Sequence, residues 1–501
     1  MQTDERSKML GSMPMNKMVP KVSVPIMVSM IVQAAYNVVD SIFISRYDPN
    51  GLTAVSLAYP FQMLMVALSV GMGTGIASLV SRKLGERKQN EARQAAWNGF
   101  LVEAAGWLIF ALVGLFLTPA LLGLVVNADT LQNAQGIQRM GETYLSIVTT
   151  FSLGLFMAVL MERLLQATGN TVLSMVTQLS GALTNIILDP ILIFNADMGV
   201  RGAAVATVIG QFVSAIVGFV LNQTKNKELQ LLFRDFRISP PILTGIMAVG
   251  LPSTVMQALG SVMNVGMNAI LSGFPDQGNA AVNVLNVYFK LQSFIFMPCF
   301  GLGSGLIAIV GYNFGARIRE RVYQAIRVAL RYAVIIMAVG TLIFQLFPEF
   351  LMNVFDSSES VEAVEETSGD ALTDEALLAI PEKEVSEEQK AAWEKAQQRK
   401  VASQMRELGP AALKTISLCF VAAAIGIVLS SVFQAIGKGV YSMALSICRQ
   451  LAVLLPAAIA LKAIFGTVSA VWWAFLIAEG VSCVITLFMY RRLKRDVIET
   501  L

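Results

Sequence analysis

The chain contains one pattern twice, and that duplication limits what it can fold into. Gly71-Met-Gly73-Thr-Gly75, running on to Leu84, Gly85 and Arg87, returns 230 positions later as Gly301-Leu-Gly303-Ser-Gly305, running on to Phe314, Gly315 and Arg317. Gln166, Gly169, Val172, Ser174 and Met175 return 268 positions later as Gln434, Gly437, Val440, Ser442 and Met443. Pro25, Asn37 and Gly51 find Pro252, Asn264 and Gly278 at an offset of 227. Apolar helices resemble each other by composition in Ala, Val and Leu, but not in Gln, Gly, Ser and Arg held to one register. Residues 20–222 and 247–490 therefore read as two copies of one unit, an arrangement that in a membrane protein points to transport.

Membrane residence follows from composition. Hydrophobic residues make up 55% of the chain and charged residues 14%, against about 25% charged in a soluble domain, and mean hydropathy is +0.63. A span of the bilayer core takes about 20 apolar residues. Twelve candidates are centred near residues 33, 67, 106, 150, 183, 211, 258, 297, 338, 424, 452 and 478, six in each copy. The expected fold is an all-α integral membrane protein with twelve transmembrane helices, six in each copy of the repeat. The expected division is an N-lobe at 1–222, an inter-lobe linker at 223–240 and a C-lobe at 241–501 carrying an insertion at 356–410. Basic residues gather at both termini and in the connections after the second, sixth and eighth spans. The positive-inside rule places these, and with them both termini, on the cytoplasmic side. The opening residues lack the short apolar segment and small-residue cleavage site of a removable signal peptide.

Residues 356–410 hold 14 acidic and 6 basic residues, a local net charge of −8 inside a chain of net +3. The topology places this insertion outside. From Asp374 to Leu408 its composition favours helix, interrupted at Pro381. It reads either as an external cap or cation-attracting antechamber, or as a solvated helical excursion. Cys299, Cys419, Cys448 and Cys483 all fall in predicted spans at unrelated spacings, which suggests neither a disulfide framework nor a metal site. The chain has no histidine, which removes Ser-His-Asp, Cys-His, zinc-His and haem-His chemistry. The glycine segments sit in apolar helices, where small residues allow close packing. They do not follow a strand and carry no lysine motif as a phosphate loop would.

Polar groups within the spans are where function is sought, because a mid-bilayer charge costs at least about 2.5–3.5 kcal/mol. Gln33, Tyr36, Asn37 and Asp40 share one face of the first span. Asp40 in a partly apolar cavity suits exchange of a proton for a cation, or else pairs statically with a group such as Arg46. Asn185 and Asp189 share a face of the fifth span, and Pro190 removes a backbone donor there and can leave carbonyls free for an ion. Oxygen ligands of this kind suit sodium, and a lone carboxylate suits a proton. Thr207 adds a hydroxyl from the following span. The repeat equivalents of Asp40, Asn185 and Asp189 are Met267, Val453 and Ala457, so only the first copy keeps the carboxylates. The second copy offers Lys290, Arg449 and Glu479. Lys290 serves as a coupling base or as a fixed structural partner, and Arg449 and Glu479 can pair with each other. Glu103, Glu162 and Arg163 in the first copy are similarly ambiguous.

Several of these segments together resemble the multidrug and toxic compound extrusion family of cation-coupled antiporters. They are Tyr36-Asn37-Val-Val-Asp40, Val80-Ser-Arg82-Lys-Leu-Gly85, Gln166-Ala-Thr-Gly169-Asn, Asn185-Ile-Ile-Leu-Asp189-Pro190 and Gly199-Val-Arg-Gly202-Ala-Ala-Val-Ala-Thr207. Tyr288-Phe-Lys290-Leu-Gln and Gly311-Tyr-Asn-Phe-Gly315-Ala-Arg317 are similar to the bacterial branch that includes the DNA-damage-inducible transporters. The resemblance covers nearly all of the chain apart from 356–410. It implies two pseudo-symmetric six-helix bundles around a central cavity that alternate between inward-open and outward-open states and export organic cations and amphipathic drugs against proton or sodium entry. Its first-lobe cation site carries over onto Asp40, Asn185, Asp189 and Thr207, with sodium as one ion these oxygens would hold. Acidic residues that other branches place in the seventh and eighth spans are missing here.

On this reading the substrate cavity involves Gln33, Tyr36, Asn37, Met267 and Lys290, and Met and Phe side chains supply adaptable apolar contacts. The chain is then no enzyme and needs no cofactor beyond the coupling ion. Its partners are small amphipathic or cationic molecules and the bilayer, with no nucleic acid, and it works as a monomer. Two alternatives stand beside it. A lipid or lipid-linked saccharide flippase of the same superfamily would want a strongly cationic cavity. A non-transporting membrane receptor or enzyme would predict no gradient-driven flux.

Overall fold

A computed structural model describes residues 5–125, 133–230, 236–354, 377–378, 385 and 387–500. All regular structure among the described residues is helical. After a short α1 (Glu5–Ser12) come α2 (Met15–Tyr47), α3 (Pro49–Gly85), α4 (Gln89–Phe116), the short α5 (Thr118–Gly123), α6 (Ala134–Thr150), α7 (Leu153–Ala167), α8 (Thr171–Pro190) and α9 (Gly199–Lys225). The same series then runs again. It comprises α10 (Pro240–Ser272), α11 (Gly278–Gly315), α12 (Arg319–Leu346), the short α13 (Pro348–Asn353), α14 (Glu387–Ser417), α15 (Phe420–Ala435), α16 (Gly439–Ile447), α17 (Leu455–Phe465), α18 (Val468–Val471) and α19 (Trp473–Leu493).

The two series match in detail. α3 and α11 are 37 and 38 residues long, and α4 and α12 are both 28. The fourth span of each half is a bent pair, α6 with α7 at 47° and α14 with α15 at 49°. The fifth span of each half contains a π-helical stretch, Ile191–Asn195 after α8 and Cys448–Leu454 between α16 and α17. Arg87 and Arg317, just beyond α3 and α11, both take left-handed φ values, 60° and 58°. Their amides close the helix ends by donating to Leu84 and Phe314, each at 3.0 Å. Among the described residues, ten helices are long and apolar enough to span a bilayer alone, and the two bent pairs bring the number to twelve, the architecture expected from the repeat. Large apolar side chains such as Leu108, Leu112, Phe116, Val484 and Phe488 lie exposed on the outside, where lipid would cover them.

The insertion is less of an appendage than its composition suggests. Its helix α14 passes through Pro410 into the tenth span without a break, and α15 takes over beyond the bend. Gln404 Nε2 donates to the carbonyl of Asp276 at 3.1 Å and ties α14 to the turn between α10 and α11. Most of 355–386, with Pro381, lies outside the described residues.

The halves meet through a reciprocal seam. A Cβ at Gly71 on α3 would strike the backbone of Thr254 on α10, and one at Gly301 on α11 would strike the backbone of Met27 on α2. Met27 and Thr254 are themselves equivalents at the 227 offset. The contact is therefore made twice with the halves exchanged, as in an isologous twofold interface. The seam ends in the same way, with Gly85 against the Tyr312 carbonyl and Gly315 against the Arg82 carbonyl. Ser78 Oγ donates to the Gln434 carbonyl at 2.6 Å, and Arg163 Nη1 donates to Ser304 Oγ at 3.3 Å across the halves. α1 closes the same end of the molecule. Leu10 is fully buried, and its carbonyl accepts from Asn313 Nδ2 at 3.0 Å and from Arg321 Nη2 at 3.1 Å.

Candidate functional site

Away from the seam, the C-terminal ends of α2 and α8 bring the first-half carboxylates together. Asp189 is fully buried and Asn185 nearly so. Their spacing of four residues puts them on adjacent turns, and Asn185 Nδ2 donates to Asp189 Oδ1 at 3.2 Å. The same amide reaches Thr207 Oγ1 on α9 at 3.5 Å. Asp40 lies close enough on α2 for its charge to act on Asp189. Tyr36, one turn earlier, senses both carboxylates. Gln33, a further turn back, accepts from Gln178 Nε2 at 2.6 Å and so pins α2 to α8. The side chain of Asn37 lies outside the described residues.

What matters chemically is the oxygens that the protein leaves over. Asp40 Oδ1, Asp189 Oδ2 and Asn185 Oδ1 are all buried and make no hydrogen bond within the protein. Buried acceptors of this kind are expensive unless something donates to them or binds them. Two carboxylates, an amide oxygen and a hydroxyl on three helices form an all-oxygen environment, which suits a hard cation or a shared proton. Pro190 ends α8 directly after Asp189, and the π-helical stretch from Ile191 to Asn195 follows it. The missing proline amide and the wider helical turn thus fall beside the carboxylate. Among the described residues, no group of three or more His, Cys, Asp or Glu side chains is gathered for a metal ion.

Two residues of this neighbourhood were not singled out from the sequence. Tyr144 on α6 is buried within electrostatic reach of Asp40, Tyr36 and Asp189, and its hydroxyl donates to Gln62 Oε1 on α3 at 3.4 Å. Gln62 is an amide side chain in the middle of a span, and that was the available signal. Glu103 is buried and accepts from Ser69 Oγ at 3.1 Å. Arg163 donates to Gln166 Oε1 at 2.9 Å as well as to Ser304, within reach of the charges of Glu162 and Glu103. These groups sit at the seam side of α7.

In the second half, Met267 is fully buried in the hydrophobic core. Its side chain is spent on packing, because its position on α10 turns it inward. Lys290 lines a separate chamber of the second half, beside residues of α10, α11 and α14. Arg449 Nη1 and Glu479 Oε1 form an ion pair at 3.1 Å, with the side chains 25% and 14% exposed. Glu479→Gln is expected to lower the melting temperature of the purified protein, corresponding to about 1–3 kcal/mol for a charged hydrogen bond. The ion dependence of transport should not change. An altered ion preference in that variant would instead place the pair in coupling.

A family model described as MatE matches residues 25–191 and 252–368, and so stops before α14. The multidrug export protein MepA of Staphylococcus aureus strain N315 is 24% identical over 498 residues, covering 98% of this chain and 97% of that protein. MepA of Staphylococcus saprophyticus is 25% identical over 346 residues, covering 68% of this chain and 73% of the relative. A solved multidrug resistance MATE family transporter of the MOP superfamily, in an outward-facing conformation, superposes with a TM-score of 0.84 over the full length of both chains at 22% identity. At that identity the structural likeness concerns the fold.

Proposed function

The chain belongs to the MatE family of multidrug and toxic compound extrusion transporters, and from that premise we propose that it exports amphipathic organic cations in exchange for protons or sodium ions. It is a transporter and not an enzyme. The observation that carries the antiport reading is the set of unpartnered buried oxygens on Asp40, Asp189 and Asn185. A coupling cation that enters this set neutralises two mutually repelling carboxylates, and a cationic drug drawn to the same charge is displaced. Competition for one charge is sufficient for exchange, and no covalent step is needed. The seam seals one end of the molecule, and the polar groups lie toward the other. With both termini cytoplasmic, as the basic connections suggest, this is an outward-facing arrangement in a bacterial cytoplasmic membrane. Cation entry would then release drug outside.

The test is efflux of ethidium from proteoliposomes under proton and sodium gradients imposed separately. Efflux that follows one gradient is the expected result and identifies the ion. A well-folded chain that moves ethidium under neither gradient and in neither direction would overturn the proposal.

A further inference from the structure

One outward face of α12 begins with arginines and continues as an apolar stripe. Arg319, Tyr323, Arg327 and Arg331 are spaced four apart and share that face. It runs on through Ile335, Val339, Leu342 and Leu346, all more than half exposed, the pattern of a surface that lipid covers. Counting the about 20 residues of one span back from Leu346 reaches Arg327. Arg327 therefore stands at the edge of the hydrocarbon layer, and Arg331 lies one turn inside it. The first half has nothing comparable, since at the offset of 230 that aligns α4 with α12 the equivalents are Trp97 and Leu101.

Arg327 and Arg331 are both exposed, and neither is paired with a carboxylate among the described residues. The acids of the neighbouring helix ends are engaged elsewhere. Asp496 is held by Arg492 at 3.6 Å and Arg495 at 3.0 Å, Glu499 by Lys494 at 3.8 Å, and Glu320 accepts from Gln324 Nε2 at 3.4 Å. The facing wall comes from the end of α19 and the π-helical stretch Lys494–Ile498 that follows it. Lys494 Nζ and Arg319 Cζ lie 5.4 and 5.7 Å from the centre of the Tyr323 ring. Tyr490 is close enough to Arg327 and Tyr323 for electrostatic contact.

We propose that these two helix ends bind the head group of an anionic phospholipid, with Arg327 and Arg331 holding its phosphate. A guanidinium presents paired donors that match phosphate oxygens. Helix side chains lean toward the N-terminus, which in α12 is the interfacial end, so Arg331 reaches back to the same plane as Arg327. An arginine at that depth is costly until it meets the phosphate layer. A zwitterionic lipid would bring its own ammonium group against these cations, whereas an anionic one adds only the complementary charge. The site faces the bilayer and does not rest on drug export.

The test is thermal stability of the purified protein in phosphatidylcholine nanodiscs with phosphatidylglycerol raised stepwise at constant ionic strength. The melting temperature should rise saturably. Arg327→Gln with Arg331→Gln should weaken that response at least about tenfold, as expected for two interfacial charges. Lys225→Gln with Lys227→Gln removes the same charge from exposed positions of the first half and should leave the response unchanged. Glycerol phosphate added to phosphatidylcholine nanodiscs should not reproduce it. The proposal is overturned by a folded protein that shows no saturable rise, by an arginine variant that responds as the parent does, or by an equal loss in the lysine variant, which would mean diffuse attraction only. Equal stabilisation by glycerol phosphate would also overturn it, in favour of a soluble phosphate.

Discussion

Asp189→Asn is expected to reduce gradient-driven ethidium efflux at least about tenfold, the loss produced by about 1.4 kcal/mol of coupling energy, while leaving the fold intact. The replacement is isosteric and keeps an oxygen where Asn185 Nδ2 donates, so the contact that positions α8 survives. What disappears is the charge. Asp189 is fully buried beside Asp40, and a buried carboxylate that faces a second one is a cost to folding that only a bound cation or proton offsets. The same variant should therefore melt no lower than the parent, and the stabilisation that the parent gains from the coupling ion should be lost. Asp40→Asn should behave alike, since neither carboxylate alone completes the oxygen set. Full gradient-driven efflux in Asp189→Asn would move the coupling site elsewhere in the molecule.

The second large effect is expected at the seam. In Gly85→Ala with Gly315→Ala, each new methyl meets a main-chain carbonyl of the other half, at Tyr312 and Arg82. Backbone cannot turn aside as a flexible side chain can. Overpacking typically costs about 1–3 kcal/mol per site, enough together to shift a two-state population tenfold or more. The double variant should favour the state in which this end is open. A cysteine introduced as Ser78→Cys reports it, because Ser78 is fully buried at the seam against the Gln434 carbonyl. After removal of the four native thiols, maleimide labelling should be at least about tenfold faster in the double-alanine background, and efflux should fall. Unchanged labelling would mean that the seam does not move during transport.

The seam glycines were legible in the sequence because they are geometric requirements made twice. A position where helices approach closely tolerates only glycine, so the repeat preserves it in register. The spans were legible for a similar reason, since lipid imposes length and apolarity on each. The bends were not. Neither Phe151-Ser152 nor Leu418-Cys419 carries a proline or glycine to announce the 47° and 49° breaks. The direction a side chain faces was legible only where several polar residues shared a helical phase. Asp40 was found through the stripe it forms with Gln33 and Tyr36, and Asn185 and Asp189 through their spacing. Asn279, Asn283 and Asn286 carry the same signal on the helix face that they share with Lys290. Met267 was drawn to the cavity by its equivalence with Asp40, but an apolar side chain at that position gains more from the core. That Arg399 and Arg406 of α14 line a chamber of the second half depends on tertiary placement, which composition averages away.

The exchanged contacts of Gly71 with Thr254 and of Gly301 with Met27 have a further consequence. They make the chain, in effect, a dimer whose subunits have been joined end to end. In a true homodimer every change appears on both sides of the axis, so a site kept on one side alone could not evolve. Fusion lifts that constraint everywhere except along the axis itself, where each surface must still fit its counterpart. The halves have been free to diverge, so that the first keeps Asp40 and Asp189 where the second has Met267 and Ala457, while the seam between them has had to remain common property.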